Sequence, residues 1–119
     1  MTTLVTGAAG FIGMHLVERL LAAGDTVIGI DNLNAYYDPK LKQDRLARLL
    51  PHPKFTFKRV EIAEAAAMKT LFAEHSIRRI VHLAAQAGVR HSFNAPQDYI
   101  DANITGFLNV LEMCRHHGI

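Results

Sequence analysis

Short apolar runs alternate with helical patterns along the whole 119-residue chain. The apolar runs lie at residues 3–6, 26–30, 55–60 and 79–83, and they favour strands because they are rich in β-branched and aromatic side chains. Between them, apolar residues recur three and four positions apart, which predicts amphipathic helices. Strands that alternate with helices form parallel βαβ units. The pattern therefore predicts an α/β fold, a Rossmann-type parallel sheet of four strands flanked by helices, with the order 3-2-1-4 that right-handed crossovers favour.

The ends of the first two helices carry recognisable signals. The first helix is predicted from about Phe11 to Ala23, with Gly24 as its end signal. The second begins at Asp38-Pro39, a capping residue followed by proline at the first helical position, and runs to about Leu50. The apolar face predicted for the first helix consists of Ile12, Leu16, Leu20 and Ala23. One side of the third helix carries Met68, Leu71, Phe72 and His75.

The last helix is predicted to begin at a capping box, Asn94 to Gln97, and to run to about His117. Two apolar stripes follow it. One consists of Ile100, Asn103, Phe107, Leu111 and Cys114. The other consists of Tyr99, Ala102, Gly106, Val110 and Met113. A helix with apolar residues on two sides is expected to be covered on both.

A glycine-rich turn follows the first strand. Gly7 allows a tight exit from the strand, Gly10 lets the backbone approach a phosphate, and Gly13 lets the next helix pack on the sheet. The first free N–H groups of that helix would face the anion. This context predicts a dinucleotide site. The alternative is a glycine-rich connection in an unrelated α/β domain, but it does not explain the acid at the end of the second strand.

That acid, Asp31, selects the nucleotide. A carboxylate at this position can accept both hydroxyls of the adenosine ribose, whereas a 2′-phosphate would meet like charge. Residues 32–34 supply no cation to offset that repulsion. The local sequence therefore favours NAD over NADP. A turn-capping role for Asp31 is compatible with this function.

Composition excludes several other classes of protein. Half of the residues are hydrophobic, 20% are charged and the net charge is +2, so the chain does not suit nucleic acid. No apolar run approaches the roughly 20 residues that cross a bilayer. The single cysteine and the absence of a leader pattern predict a cytoplasmic protein. The seven histidines fall on different elements, so no metal site is expected.

Four segments together resemble the amino-terminal half of an extended short-chain dehydrogenase/reductase: Thr6–Gly13, Asp31–Asn34, His82–Arg90 and Tyr99–Gly106. Within this superfamily the chain is most similar to the nucleotide-sugar epimerases, the NAD-dependent epimerase/dehydratase group. Two shorter stretches, Tyr36–Lys42 and Gln86–Arg90, look closest to UDP-glucuronate 4-epimerases.

The resemblance implies a set of cofactor contacts along the pyrophosphate, the ribose, the adenine and the end of the fourth strand. The implied residues are Gly7, Gly10, Phe11, Ile12, Gly13, Asp31, Asn32, Glu61, Ile62, Leu83, Ala84, Ala85 and Asn103. Glu61 stands where the family usually has aspartate. Asn103, an amide on an apolar stripe, is either a ligand group or a brace to a strand end.

Arg90 is the candidate for substrate binding, because it follows a Gly-Val turn at the edge where such sheets bind ligands. A guanidinium suits a carboxylate or a diphosphate. The alternative is an exposed loop arginine without a specific partner.

The resemblance implies epimerisation at C4 of a UDP-hexuronic acid through a 4-keto intermediate, with NAD as cofactor and a UDP-sugar as substrate. Alternatives are a nucleotide-sugar dehydratase of the same superfamily and a non-catalytic NAD-binding module. Residues 1–119 correspond to the NAD-binding subdomain. The family's catalytic tyrosine, its lysine four residues later and a serine or threonine follow a fifth strand, so we assign no catalytic residue and expect the chain alone to be inactive.

Tyr36 and Lys40 have the Tyr-x-x-x-Lys spacing, but they flank Asp38-Pro39 in the loop after the second strand, so we interpret the match as coincidental. The family tends to dimerise through helices that include the last one. We therefore expect a homo-oligomer, held by the Tyr99 to Met113 stripe, by the free edge of the fourth strand, or by both.

Overall fold

The four strands form one parallel sheet in the computed structural model, which describes residues 1–119. They are β1 (Thr2–Thr6), β2 (Thr26–Asp31), β3 (Phe55–Arg59) and β4 (Arg79–His82). The sheet order is β3-β2-β1-β4, so the predicted order is confirmed. Thr6 pairs in register with Ile30 on one side and with His82 on the other. The carboxyl ends of β2, β1 and β4 therefore lie level with one another.

Helices cover both faces of the sheet. They are α1 (Phe11–Ala22), α2 (Pro39–Leu49), α3 (Ala65–Glu74), α4 (His91–Asn94), α5 (Pro96–Ile100) and α6 (Gly106–His117). Residues 101–105 form a π-helical turn between α5 and α6. Asp38 caps α2 as predicted, because its carboxylate accepts a hydrogen bond from the N–H of Lys40. No helix is both long and apolar enough to cross a bilayer.

The predicted capping box before the last helix is wrong. α5 begins after Ala95, which provides no side-chain cap, and the side chain of Gln97 donates to Asp101 instead. Residues 91–94 form the separate short helix α4. Pro96 begins α5 because its fixed φ suits the first helical position.

Two buried apolar clusters lie on opposite faces of the sheet, because successive strand residues point to opposite sides. The cluster beneath α1 and α2 consists of Val5, Ala8, Ala9, Met14, Val17, Leu21, Val27, Leu46, Leu49 and Phe55. The cluster beneath α3 and α6 consists of Leu4, Ile28, Ile30, Ile62, Met68, Leu71, Phe72, Ile77, Val110 and Met113.

The rotation of α1 differs from the predicted apolar face. Its buried residues include Met14, Val17 and Leu21, whereas Ile12 is 68% exposed. Gly13 explains the difference: a Cβ atom there would lie 2.0 Å from the carbonyl oxygen of Gly7. The helix therefore rests on the turn through its glycine, and this contact rotates its buried face.

The last helix is covered on one side only, so the expectation of burial on two sides is wrong. Gly106, Val110 and Met113 are buried, while Phe107 and Leu111 are about half exposed. The sheet covers a single side of α6 because β4 is an edge strand. The stripe predicted for association is thus largely part of the core. The exposed apolar face instead consists of Ile104 in the π-helical turn and of Phe107, Leu108 and Leu111 on α6.

Candidate functional site

A cavity of about 680 Å³ opens at the carboxyl ends of the strands. Open parallel sheets bind their ligands at this edge, and the volume is typical of a small-molecule site. Most of the predicted cofactor residues line it, namely Gly7, Gly10, Phe11, Asp31, Asn32, Glu61, Ile62, Leu83, Ala84 and Ala85. The other predicted site residues lie outside its lining: Ile12, Gly13, Arg90 and Asn103.

The glycine turn forms the floor of the cavity. Gly7 has a φ of +69°, and a Cβ atom there would lie 3.0 Å from the backbone of Leu83 and Ala84. A Cβ atom on Gly10 would lie 3.2 Å from the carbonyl oxygen of Gly7. α1 begins after Gly10 without a side-chain cap, and the first N–H groups of a helix lack intrahelical partners. Uncapped N–H donors at the start of a helix are what an anionic group requires.

Asp31 is buried at the end of β2, and three segments of the chain donate hydrogen bonds to it. Its Oδ1 accepts from the N–H of Leu33 at 2.8 Å and from Nζ of Lys42 at 2.9 Å. Its Oδ2 accepts from the N–H of Ala9 at 3.2 Å. A carboxylate has about four acceptor positions. One acceptor position therefore remains for a ligand hydroxyl.

Lys42 was absent from the sequence prediction, which considered only residues 32–34 as sources of a cation beside Asp31. The lysine reaches the carboxylate from α2, and its side chain is only 11% exposed. Arg45 on the same helix donates to the carbonyl oxygen of Ala9 at 3.2 Å. The helical spacing of α2 could have identified this lysine. Lys42 lies four positions before Leu46 and seven before Leu49, and because both leucines are buried, Lys42 shares the inward face of the helix.

Asn32 and Glu61 form a polar wall beside Asp31. Nδ2 of Asn32 donates to Oε2 of Glu61 at 2.6 Å. The other Glu61 oxygen accepts from the N–H of Ala63 at 3.3 Å. Ile62 is buried between this wall and the core and also lines the cavity. The longer side chain of glutamate thus ties the loop after β3 to the loop after β2.

Asn103 braces the loop after β4. Its Oδ1 accepts from the N–H of Gln86 at 2.9 Å, and its Nδ2 donates to the carbonyl oxygen of the same residue at 3.1 Å. Tyr99 adds a bond from its hydroxyl to the carbonyl oxygen of Ala87 at 3.1 Å. Of the two roles left open for Asn103, this geometry favours the brace.

Arg90 and the Tyr36–Lys40 pair lie at the edge of the site. Arg90 is exposed at the start of α4, and its guanidinium forms no hydrogen bond or ion pair. Tyr36 lies on the cavity wall and contacts Tyr37 and His91 through ring packing at 4.8 and 5.0 Å. Lys40 is exposed and does not line the cavity.

The sheet order, the glycine turn and the buried acid after β2 define a Rossmann-type α/β domain. The sequence profile of the family described as GDP-mannose 4,6 dehydratase matches residues 4–119. The chain belongs to this family of nucleotide-sugar epimerases and dehydratases.

Known relatives agree with this assignment. The UDP-glucuronate 4-epimerase of Thermodesulfobacterium geofontis is 48% identical over 116 residues, which are 98% of this chain and 36% of that protein. The UDP-glucuronic acid 4-epimerase of Bacillus cereus, solved with UDP-glucuronic acid and NAD, superposes with a TM-score of 0.87 at 37% identity over 98% of this chain and 37% of its own.

A dehydratase is also among the structural neighbours. DesIV of Streptomyces venezuelae, a dTDP-glucose 4,6-dehydratase solved with NAD and TYD, has a TM-score of 0.86 and 30% identity over 100% of this chain and 37% of that one. The chain thus spans about a third of the length of the proteins that it matches.

Proposed function

We propose that residues 1–119 are the NAD-binding subdomain of a nucleotide-sugar 4-epimerase that interconverts UDP-glucuronate and UDP-galacturonate. The observation that carries the proposal is the buried Asp31–Lys42 pair, which lines the same cavity as the glycine turn. The similarity to UDP-glucuronate 4-epimerases supports the choice of sugar.

Different residues of the cavity bind different parts of the cofactor. The uncapped N–H groups of α1 after Gly10 bind the pyrophosphate. The remaining acceptor of Asp31 and the remaining donors of Lys42 hold the two ribose hydroxyls. Ile62 offers an apolar surface to the adenine. Bound NAD supplies a hydride acceptor that is regenerated within each turnover.

Calorimetry with the 119-residue chain tests this assignment. NAD and ADP-ribose should bind with similar affinity, because the anchors described here all face the adenosine diphosphate, and NADP should bind more weakly. Lys42→Met should reduce NAD affinity about tenfold, the cost of a hydrogen bond to a charged group. The matched control is Lys40→Met, which removes an exposed lysine from the same helix. Tighter binding of NADP, or an equal loss in both variants, would overturn the ribose assignment.

An activity assay tests the expectation that the chain alone is inactive. Positioned proton transfer supplies about 10²- to 10⁴-fold of rate, and we assign no catalytic acid or base within residues 1–119. Incubation with UDP-glucuronate and NAD should therefore leave the sugar unchanged. Formation of UDP-galacturonate would contradict this and would make Tyr36 and Lys40 the first residues to mutate.

A nucleotide-sugar dehydratase is the second candidate, because the family profile and the DesIV likeness both favour it. The sugar preference conferred by Arg90 distinguishes the epimerase from the dehydratase. Its free guanidinium suits the carboxylate of a hexuronic acid, so with NAD present UDP-glucuronate should bind more tightly than UDP-glucose. Arg90→Ala should remove that preference without changing NAD affinity. Equal binding of both sugars to the unaltered chain would favour the dehydratase.

A further inference from the structure

Thr6 and His82 meet at the level ends of β1 and β4. Thr6 is fully buried, and its Oγ1 lies 2.7 Å from Nδ1 of His82. The same Oγ1 accepts hydrogen bonds from the N–H of Leu83 at 2.9 Å and of Ala84 at 3.0 Å. One hydroxyl thus joins the last residue of β1 to three consecutive residues at the end of the adjacent strand β4.

Counting donors and acceptors decides the protonation of the histidine. A threonine hydroxyl has two lone pairs and one hydrogen. The two backbone N–H groups occupy both lone pairs, so the hydrogen must point to Nδ1 of His82. Nδ1 is therefore an acceptor, and the neutral ring carries its hydrogen on Nε2. A charged imidazolium would place a second hydrogen against an oxygen without a free lone pair.

The backbone held in this way is part of the cavity. Leu83 and Ala84 line it, and their backbone lies so close to Gly7 that a Cβ atom there would come within 3.0 Å. The Thr6 hydroxyl thus sets the distance between the end of β4 and the glycine turn. Loss of one of the hydrogen bonds of Thr6 therefore releases the Leu83–Ala84 backbone, which forms part of the cavity wall.

The surroundings of His82 favour its neutral form. Its ring stacks on Phe107, with centroids 5.7 Å apart and an interplanar angle of 16°. Burial lowers the pKa of His82 from its ordinary value of 6.5. β1 carries no titratable side chain, and the first one on α6, Glu112, lies more than a turn beyond Phe107. On β4 the guanidinium of Arg79 bonds to Thr3 and Asp25 rather than to the histidine.

We propose that His82, as its Nε2–H tautomer, is a positioning residue for the cofactor, and that its protonation releases the Leu83–Ala84 backbone and weakens cofactor binding. The histidine acts through Thr6, because it takes the hydroxyl hydrogen and leaves both lone pairs to the cavity wall. This inference rests on the proposed NAD site.

The first measurement needs no cofactor. Long-range ¹H–¹⁵N NMR of the chain should show an unprotonated Nδ1 at His82 at pH 7.5. Amide hydrogen exchange at Leu83 and Ala84, corrected for intrinsic rates, should speed up about fivefold to tenfold between pH 7.5 and 5.5, as expected for one lost hydrogen bond. An Nδ1–H tautomer, or protection that does not change with pH, would overturn the proposal.

Matched variants connect the histidine to binding. Asn at position 82 keeps an acceptor in place of Nδ1 but does not titrate, whereas Leu keeps the bulk without the acceptor. His82→Asn should bind NAD with near-normal affinity and lose the fall in affinity between pH 7.5 and 5.5. His82→Leu should bind about fivefold to tenfold more weakly at both pH values.

The outcomes separate the two proposals. If His82→Asn shows the same fall in NAD affinity on acidification as the unaltered chain, the role of His82 is refuted while the NAD site stands. If NAD does not bind to any form, the cofactor site is refuted. In that case the positioning role falls with it, and hydrogen exchange reports only whether Thr6 and His82 hold the strand end.

Discussion

Two regions of the site are built differently. At the end of β2, Asp31 is 5% exposed and receives hydrogen bonds from three segments of the chain. At the start of α4, outside the cavity lining, Arg90 has no partner, and its neighbours Val89 and Phe93 are 78% and 82% exposed. The first region is therefore preorganised by contacts within the first two βα units, whereas the second presents apolar and cationic groups that remain free to bind.

Gly13→Ala should break the preorganised region most severely. Its Cβ atom would lie 2.0 Å from the carbonyl oxygen of Gly7, and neither backbone can move without disturbing β1 or α1. We expect a loss of at least about 3 kcal/mol in the free energy of unfolding, the upper range for overpacking. Urea denaturation followed by circular dichroism measures it. Gly10→Ala is the control, because its Cβ contact of 3.2 Å requires only a small shift.

Asp31→Ala should alter the choice of nucleotide. The substitution removes an acceptor for the ribose and leaves Lys42 unpaired at the same position. NAD affinity should fall about 10- to 100-fold, and NADP should bind more tightly than NAD because a free lysine suits the 2′-phosphate. Adding Lys42→Met should abolish the gain in NADP binding, as calorimetry can show. A gain that survives the second substitution would place the responsible cation elsewhere, with Arg45 the next residue to test.

Acid should weaken the β4 end through His82. Because burial lowers the pKa of the folded histidine below 6.5, the unfolded chain binds more protons as the pH falls through that value. The contribution of His82 to the free energy of unfolding should therefore be fully present above pH 6.5. It should decline as the pH falls from there toward the lowered pKa of the folded state. Urea titrations from pH 7.5 to 5.5 test the sign. The decline should be smaller in His82→Asn, and an equal decline would assign the effect to other groups.

The smallest effect on stability is expected on the free apolar face of α6. Leu108 is 55% exposed, so Leu108→Ser should change the free energy of unfolding by less than about 0.5 kcal/mol. If this face forms the contact in the proposed homo-oligomer, the same substitution should shift light scattering toward the monomer. Lys69→Ser on α3 controls for a change at an exposed site away from that face. An oligomer indifferent to Leu108 would point to the free edge of β4.

Local patterns by themselves determined the framework of this protein. Three features are encoded within a few residues each: the strand patterns, Gly7 with its positive φ, and Asp38 before a helical proline. The sheet order and the position of the glycine turn therefore followed from the sequence. Asp31 was identified for the same reason, because the end of β2 places it at the ligand edge.

Only the tertiary structure decided which groups meet there. Lys42 reaches Asp31 because α2 folds back over the end of β2, and Asn103 braces Gln86 across a separation of 17 residues. The rotation of α1 depends on the contact between Gly13 and Gly7, and the single covered side of α6 depends on the position of β4 at the sheet edge. These outcomes are set by the packing of whole elements, and a periodic pattern within one element does not carry that information.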